Sequence, residues 1–337
     1  MKKLILLLVV LLLCGCQEQG AKTPEVVVYV ALDQVYSEPI LNNFERQTGI
    51  KVRAKYDLEA TKTSGLVNQI ITERANPQCD VFWNNEILQT TVLKKLGSLQ
   101  PYRSPNAEGI PALFRDPEDC WTGFAARMRV LVYNPENLNG RTPPGSIEEL
   151  TDPKWKGEAG MALPLFGTTL THWAALYHQR GAAETEQFLK KALANDLAIV
   201  DGNSVVKDRV ASGMLTWGLT DTDDANSAIE EGAKIVMVFP DQEEGQMGTL
   251  VIPNTVAIVK DCPHPEEAKK LVDFLLATEI EEHLARGRSL QIPLHEKAQR
   301  PEGVPDISKM KVMEVDYPAI AENFTDVLNK LRELVTP

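Results

Sequence analysis

The chain has 337 residues, 43% hydrophobic, 24% charged and 6% aromatic, with 21 each of Gly and Pro. This is an ordinary globular composition, which excludes a disordered tail, a collagen and a disulfide scaffold and gives length for about two domains. The formal net charge is −12, yet no acidic residue precedes Glu18.

Lys2 and Lys3 lead into the apolar run Leu4 to Leu13, the charged and hydrophobic regions of an export signal. Ten residues make about 15 Å of helix, half of a bilayer core, so the run is too short to span. The segment Leu13-Cys14-Gly15-Cys16 resembles the bacterial lipobox. Cys16, preceded by small Gly15, is the expected lipidation site, and residues 1–15 the signal peptide. Residues 16–24 read as the lipidated N-terminus and a flexible tether. Loss of residues 1–15 removes two lysines and no acids, leaving 33 basic and 47 acidic side chains and a net charge of −14. A body so acidic repels phosphate backbones, which argues against nucleic acid. Beyond Cys16, only Cys79, Cys120 and Cys262 remain. They permit at most one disulfide and have no zinc-type spacing.

In chain order, Val26-Val27-Val28-Tyr29-Val30 is a β-branched run suited to a strand buried on both faces. A helix is predicted over 33–48 and stopped at Thr48-Gly49. A strand over 50–56, a helix over 63–75, a strand over 80–83 and a helix over 86–96 follow, the alternation of a sheet covered by helices. After the apolar stretch within 121–134 and loops around one short helix, a second α/β series is predicted. Its strands are 160–163, 198–200, 215–219 and 235–239, and its helices 168–180, 183–194, 204–212 and 223–231. Residues 249–259 read as a strand on both sides of Pro253, 265–284 as one amphipathic helix, and 320–335 as a last helix resting on the first lobe. The fold class is therefore α/β, two lobes of mainly parallel sheet flanked by helices and joined by two crossing segments near residues 125 and 252. The expected division is 25–125 plus 253–337 for lobe 1 and 126–252 for lobe 2.

In open parallel sheets ligands bind beyond the carboxyl ends of the strands, where helix N-termini direct free N–H groups outward. Each strand-to-helix junction here is polar, and from these junctions come the candidate ligand-binding residues. In the first lobe they are Asp33, Gln34, Tyr36, Thr61, Thr63, Asn84 and Glu86, joined by Arg127 on a crossing segment. In the second they are Gly167, Thr168, Thr169, Asn203, Ser204, Asp221, Thr222 and Asp223. The same residue types serve as ordinary helix caps, so each has a structural reading as well. The carboxylates Asp33, Glu86, Asp221 and Asp223, with Glu59 and Asp241 as further candidates, suit a hard cation or an organic cation. Exposed helix N-termini, with Lys62, Arg127 and Arg129, suit an anion. Of the aromatics, Tyr36 is placed for direct contact, whereas Trp83, Phe166 and Trp217 read equally as packing. No Walker loop, Gly-x-Ser-x-Gly elbow or His-Glu-x-x-His motif occurs, the five histidines are scattered, and no catalytic residue is assigned.

The combination of Tyr29-Val-Ala-Leu-Asp33-Gln34, Phe44-Glu-Arg-Gln-Thr48-Gly49-Ile50-Lys51-Val52, Cys79-Asp80-Val81-Phe82-Trp83, Arg129-Val-Leu-Val-Tyr133-Asn134 and Leu150-Thr-Asp152-Pro153-Lys154-Trp155-Lys156-Gly157 resembles the type II periplasmic solute-binding proteins of ABC importers, in the ferric-iron-binding branch. Gly218-Leu219-Thr220-Asp221 and Pro263-His264-Pro265-Glu266-Glu267-Ala268 extend the likeness, which runs from about residue 25 to about 295. The resemblance implies a monomeric, non-enzymatic lipoprotein held at the bacterial membrane and facing the periplasm or cell exterior. It would capture a small solute, ferric iron first, for a permease and its ATPase, with no cofactor beyond Fe(III) as cargo. One departure stands out: ferric-binding relatives place adjacent tyrosines near the junction that here reads Thr220-Asp221-Thr222-Asp223-Asp224, and this sequence has no adjacent Tyr pair. A phosphonate or other small anion, an organic cation such as thiamine, and a sensor or extracytoplasmic enzyme on the same fold remain the alternatives.

Overall fold

A computed structural model describes residues 23–57 and 63–336. The leader, Cys16, Glu59, Thr61 and Lys62 lie outside the described residues. In the first lobe, β1 (Glu25–Val30) lies between β2 (Lys51–Tyr56) and β3 (Val81–Asn84), parallel to both. The helices α1 (Gln34–Thr48), α2 (Ser64–Thr72) and α3 (Leu88–Lys95) alternate with these strands. Apolar residues at helical spacing bury one face of α1 through Ile40, Leu41 and Phe44, and the Gly49 N–H closes the helix on the Glu45 carbonyl at 2.9 Å. Every residue of β3 is buried, the apolar Val81, Phe82 and Trp83 and the polar Asn84 that ends it.

After the short β4 (Leu99–Gln100), the 12-residue β5 (Thr122–Tyr133) carries the chain into the second lobe, and β10 (Val251–Val259) returns it, antiparallel to β5. Both strands are irregular at one level. Ala125 has φ +44°, the register shifts between Ile252 and Asn254, and the Glu281 carboxylate accepts from the Ala125 N–H at 2.6 Å. In the second lobe β6 (Ala159–Ala162) pairs in parallel with β7 (Ala198–Val200) and β8 (Trp217–Asp221). β8 and β9 (Val236–Val238) run antiparallel to β5. The covering helices are α4 (Gly167–Arg180), α5 (Ala182–Ala194), α6 (Asn203–Ala211) and α7 (Thr222–Glu230). The fold is thus two α/β lobes with two crossing strands, although those strands make the sheet mixed.

Two expectations are corrected. Residues 265–284 form two helices, α8 (Pro265–Leu275) and α9 (Thr278–Arg286), because Ala277 turns extended with ψ 141°. The last helix is likewise divided at Asn323 into α10 (Tyr317–Glu322) and α11 (Phe324–Val335). It does not rest on the first lobe alone: α10 packs on α3 and α4, and α11 on α4 and α5 of the second lobe. Cys79, Cys120 and Cys262 are buried, unbridged thiols. No helix of the described residues is long and apolar enough to cross a membrane.

Candidate ligand-binding cleft

A polar pocket opens between the lobes at the carboxyl ends of the parallel strands, with about 460 Å³ of empty space, its open mouth included. The first lobe contributes Asp33 after β1 and Asn85 after β3, and β5 contributes Arg127. From the second lobe come the starts of α4 (Phe166 to Thr169), of α6 (Asp201 to Asn203) and of α7 (Asp221, Asp223 and Asp224). At none of these three helices does the N-cap side chain bond the helix's own N–H groups. The dipoles of the three helices, directed at the pocket from their N-termini, therefore favour negative charge there. Gly167 opens α4 at φ +53°, a conformation that an L side chain resists.

Eight of the candidates named from sequence line this pocket: Asp33, Arg127, Gly167, Thr168, Thr169, Asn203, Asp221 and Asp223. One oxygen from each of Asp221, Asp223 and Asp224 lies within 4.8 Å of the others, a spacing compatible with a shared cation. The basic side chains divide their work along β5. Arg129, fully buried, donates to Asp221 Oδ1 at 2.7 Å, Asn203 Oδ1 at 3.0 Å, Thr168 Oγ1 at 3.2 Å and Thr169 Oγ1 at 3.3 Å. The other oxygen of Asp221 accepts from Thr168 at 2.6 Å and Asn203 at 3.0 Å. Asp221 is thereby the keystone of a buried polar network, and both its oxygens are engaged. Arg127 pairs through Nη1 with Asp223 at 2.8 Å, and its buried Nε and Nη2 have no hydrogen-bond partner among the described residues. Burial disfavours the Arg127 charge, but Asp223, Asp221, Asp33 and Asp224 outweigh it and hold the guanidinium above its usual range.

The remaining candidates among the described residues do not line the pocket. Gln34 is exposed and bonds Glu38 at 3.2 Å. Tyr36 is half-buried and hydrogen-bonded to Ser227 of α7, with its phenol pushed up by burial and then by the Asp223 charge. Thr63, at φ +70°, donates to Asn85 at 2.7 Å and to Asn84 at 3.2 Å. The Thr222 hydroxyl accepts from the Met128 N–H at 3.2 Å, and Ser204 is half-buried on α6. Glu86, proposed from sequence as a metal ligand, is wholly buried. Its oxygens accept from Leu88 N at 2.6 Å, Gln89 N at 2.9 Å, Asn84 Nδ2 at 3.1 Å and Thr171 Oγ1 at 2.8 Å, so its acceptor capacity is used within the protein. Asp241 is buried against Ser146, away from the pocket. Trp83 packs on Phe124 and Trp217 on Trp155, whereas Phe166 reaches the pocket wall. Sequence reasoning passed over Asp201, Asp224 and Asn85 as ligand residues, although Asp224 and Asn85 stand in strand-to-helix junctions it had singled out and Asp201 immediately precedes a third, Gly202-Asn203-Ser204.

A polar pocket at the switch between two lobes is the geometry of a receptor for a small solute. Residues 78–319 match the family described as bacterial extracellular solute-binding protein. The chain belongs to that family. Among curated members of similar sequence, iron uptake protein A1 of Synechocystis sp. is 30% identical over 258 residues, 72% of this chain and 68% of its own. The major ferric iron-binding protein of Neisseria meningitidis serogroup B is 26% identical over 314 residues, 90% of this chain and 91% of its own. In structure, this solute-binding protein superposes on iron-bound HitA from Pseudomonas aeruginosa with TM-score 0.83, at 23% identity, covering 93% of this chain and 99% of the other.

Proposed function

We propose that the protein is the extracytoplasmic receptor of an ABC importer, lipid-anchored through Cys16, that captures ferric iron in the inter-lobe cleft and hands it to a membrane permease and its ATPase. The observation that carries the reading is the charge of the pocket. Five aspartates, Asp33, Asp201, Asp221, Asp223 and Asp224, stand against Arg127 and Arg129, a formal excess of three negative charges around a small polar space. Oxygen-only donors of high charge select hard cations, and Fe(III) is among the hardest. The names of the two curated relatives described above, an iron uptake protein and a ferric iron-binding protein, agree with this reading. Asp221 is engaged through both its oxygens and Asp223 is paired with Arg127 through one, so the proposed direct ligands are Asp33, Asp224 and the second oxygen of Asp223.

The absence of a tyrosine pair leaves the metal short of phenolate donors. Arg127, whose Nε and Nη2 have no hydrogen-bond partner among the described residues, lines the pocket together with the starts of three helices, and this favours an oxoanion as the companion that completes the metal's shell. Calorimetry and thermal shift with Fe(III) alone, with Fe(III) plus citrate or phosphate, and with each anion alone test this. Binding that requires metal and anion together supports the reading; tight binding of a phosphonate or phosphate with no metal would replace it with an anion receptor. No shift with any of them would sink it. Capture proceeds by differential contact, since a solute that touches both lobes stabilises their closed arrangement.

A further inference from the structure

Beneath the pocket floor lies a buried hydrogen-bonded cluster that no ligand need touch. Glu86 stands at the start of α3 in the first lobe, and Thr171 lies one turn into α4 of the second, directly below the pocket residues Gly167 and Thr168. The Thr171 hydroxyl reaches across to Glu86 Oε2 at 2.8 Å, while also near the Gly167 carbonyl at 3.2 Å. Glu86 is joined to the pocket: Asn84 Nδ2 donates to its Oε1, and Thr63 Oγ1 links Asn84 to the pocket-lining Asn85. It is also joined to the returning strand, because Asn84 Nδ2 donates to Thr90 Oγ1 at 2.9 Å, and Thr90 shares a 2.7 Å hydrogen bond with Thr255 of β10.

We propose that Glu86 and Thr171 form a closure latch, positioning residues through which occupancy of the cleft is coupled to the docking of the two lobes. The inference rests on the solute-capture reading above. Three of the four donors to Glu86, Leu88 N, Gln89 N and Asn84, belong to its own lobe and stay with it in any lobe arrangement. The fourth, Thr171, is present only when the lobes meet. Closure removes water from the carboxylate, and the Thr171 hydroxyl replaces the hydrogen bond that water supplied. Without it, closure leaves a buried charge short of one donor, so the open form gains.

The test compares wild type with Thr171→Val, which keeps the shape and removes the hydroxyl, and Thr171→Ser, which restores it. Small-angle scattering of the cargo-free protein reads the lobe equilibrium, and calorimetry with Fe(III) citrate reads affinity. Thr171→Val is expected to raise the scattering radius and weaken affinity roughly tenfold, about 1.4 kcal/mol, while Thr171→Ser behaves as wild type. A purely structural role would move the melting temperature and leave the radius of the folded protein unchanged. The latch is overturned if Thr171→Val matches wild type in radius and affinity, or if Thr171→Ser loses as much as Thr171→Val. If Fe(III) citrate binds none of the three, the cargo reading fails and the radius comparison alone decides the latch.

Discussion

The assignment of Asp221 to the scaffold rather than to the ligand shell is open to a direct experiment. Asp221→Asn keeps the side-chain shape but removes the charge that faces the fully buried Arg129 guanidinium at 2.7 Å. Arg129 then retains only neutral acceptors, Thr168, Thr169 and Asn203. Leaving one member of a buried ion pair without its counter-charge costs about 3–5 kcal/mol. At roughly 2 °C per kcal/mol for a chain of this size, the melting temperature falls by about 6–10 °C. Urea unfolding gives the free energy, and a cycle with Arg129→Met isolates the pair: a coupling above about 2 kcal/mol is expected, because the double variant removes both charges. Asp224→Asn, half-buried at the same junction, serves as the contrast, with stability within about 0.5 kcal/mol of wild type and weakened Fe(III) binding. If instead Asp221→Asn is as stable as wild type and loses metal, Asp221 is a ligand and the reasoning fails.

Three further outcomes follow from packing and protonation. A Cβ at Gly218 would meet Val206 Cγ1 at 2.4 Å and the Gly160 carbonyl oxygen at 2.9 Å, so Gly218→Ala should lower stability by about 1–3 kcal/mol in urea; a neutral result would mean that α6 shifts freely on β8. Ala125, at φ +44° where the chain crosses between lobes, should be stabilised by up to about 1 kcal/mol on replacement by Gly, and a loss would place the cost in side-chain packing instead. Burial raises the Glu86 carboxyl above its ordinary 4.5, against the hydrogen bonds it accepts. The native state then binds more protons than the unfolded chain, so this group makes stability fall as pH rises from about 4.5 through the raised value. Glu86→Gln should flatten that decline; an unchanged difference between pH 4.5 and 8 contradicts it.

Much of the architecture is legible because period and punctuation agree: Val26 to Val30 can only bury both faces, and Thr48-Gly49 ends the helix before it. The lobe crossings are visible as long apolar segments with no helical period. The break at Ala277 is hidden in the sequence because the helices on either side of it are both amphipathic, burying Ala268, Leu271, Val272 and Leu275 before it and Ile280, Leu284 and Ala285 after it. The packing of α11 on α4 and α5 was invisible for another reason: an amphipathic helix states that it needs a partner, never which one.

The same limit explains the site. Polar residues at strand ends announce that junctions are polar, but Glu86, Asp221 and Asp223 are indistinguishable in sequence. Their fates differ through the donors that tertiary structure brings to them. Glu86 meets two backbone N–H groups, an amide and a hydroxyl, and Asp221 meets a guanidinium, an amide and a hydroxyl. Alternation along β5 puts Arg127 and Arg129 on one face, so a single strand commits one arginine to the scaffold and leaves the other with donors facing the cleft. The scaffold arginine fixes the N-termini of α4, α6 and α7 relative to one another, and that fixed convergence shapes the pocket that Arg127, Asp33, Asp223 and Asp224 line. A change at Arg129 therefore acts through three helices at once, whereas a change at Arg127 acts on one buried partner, Asp223, and on the pocket that both residues line.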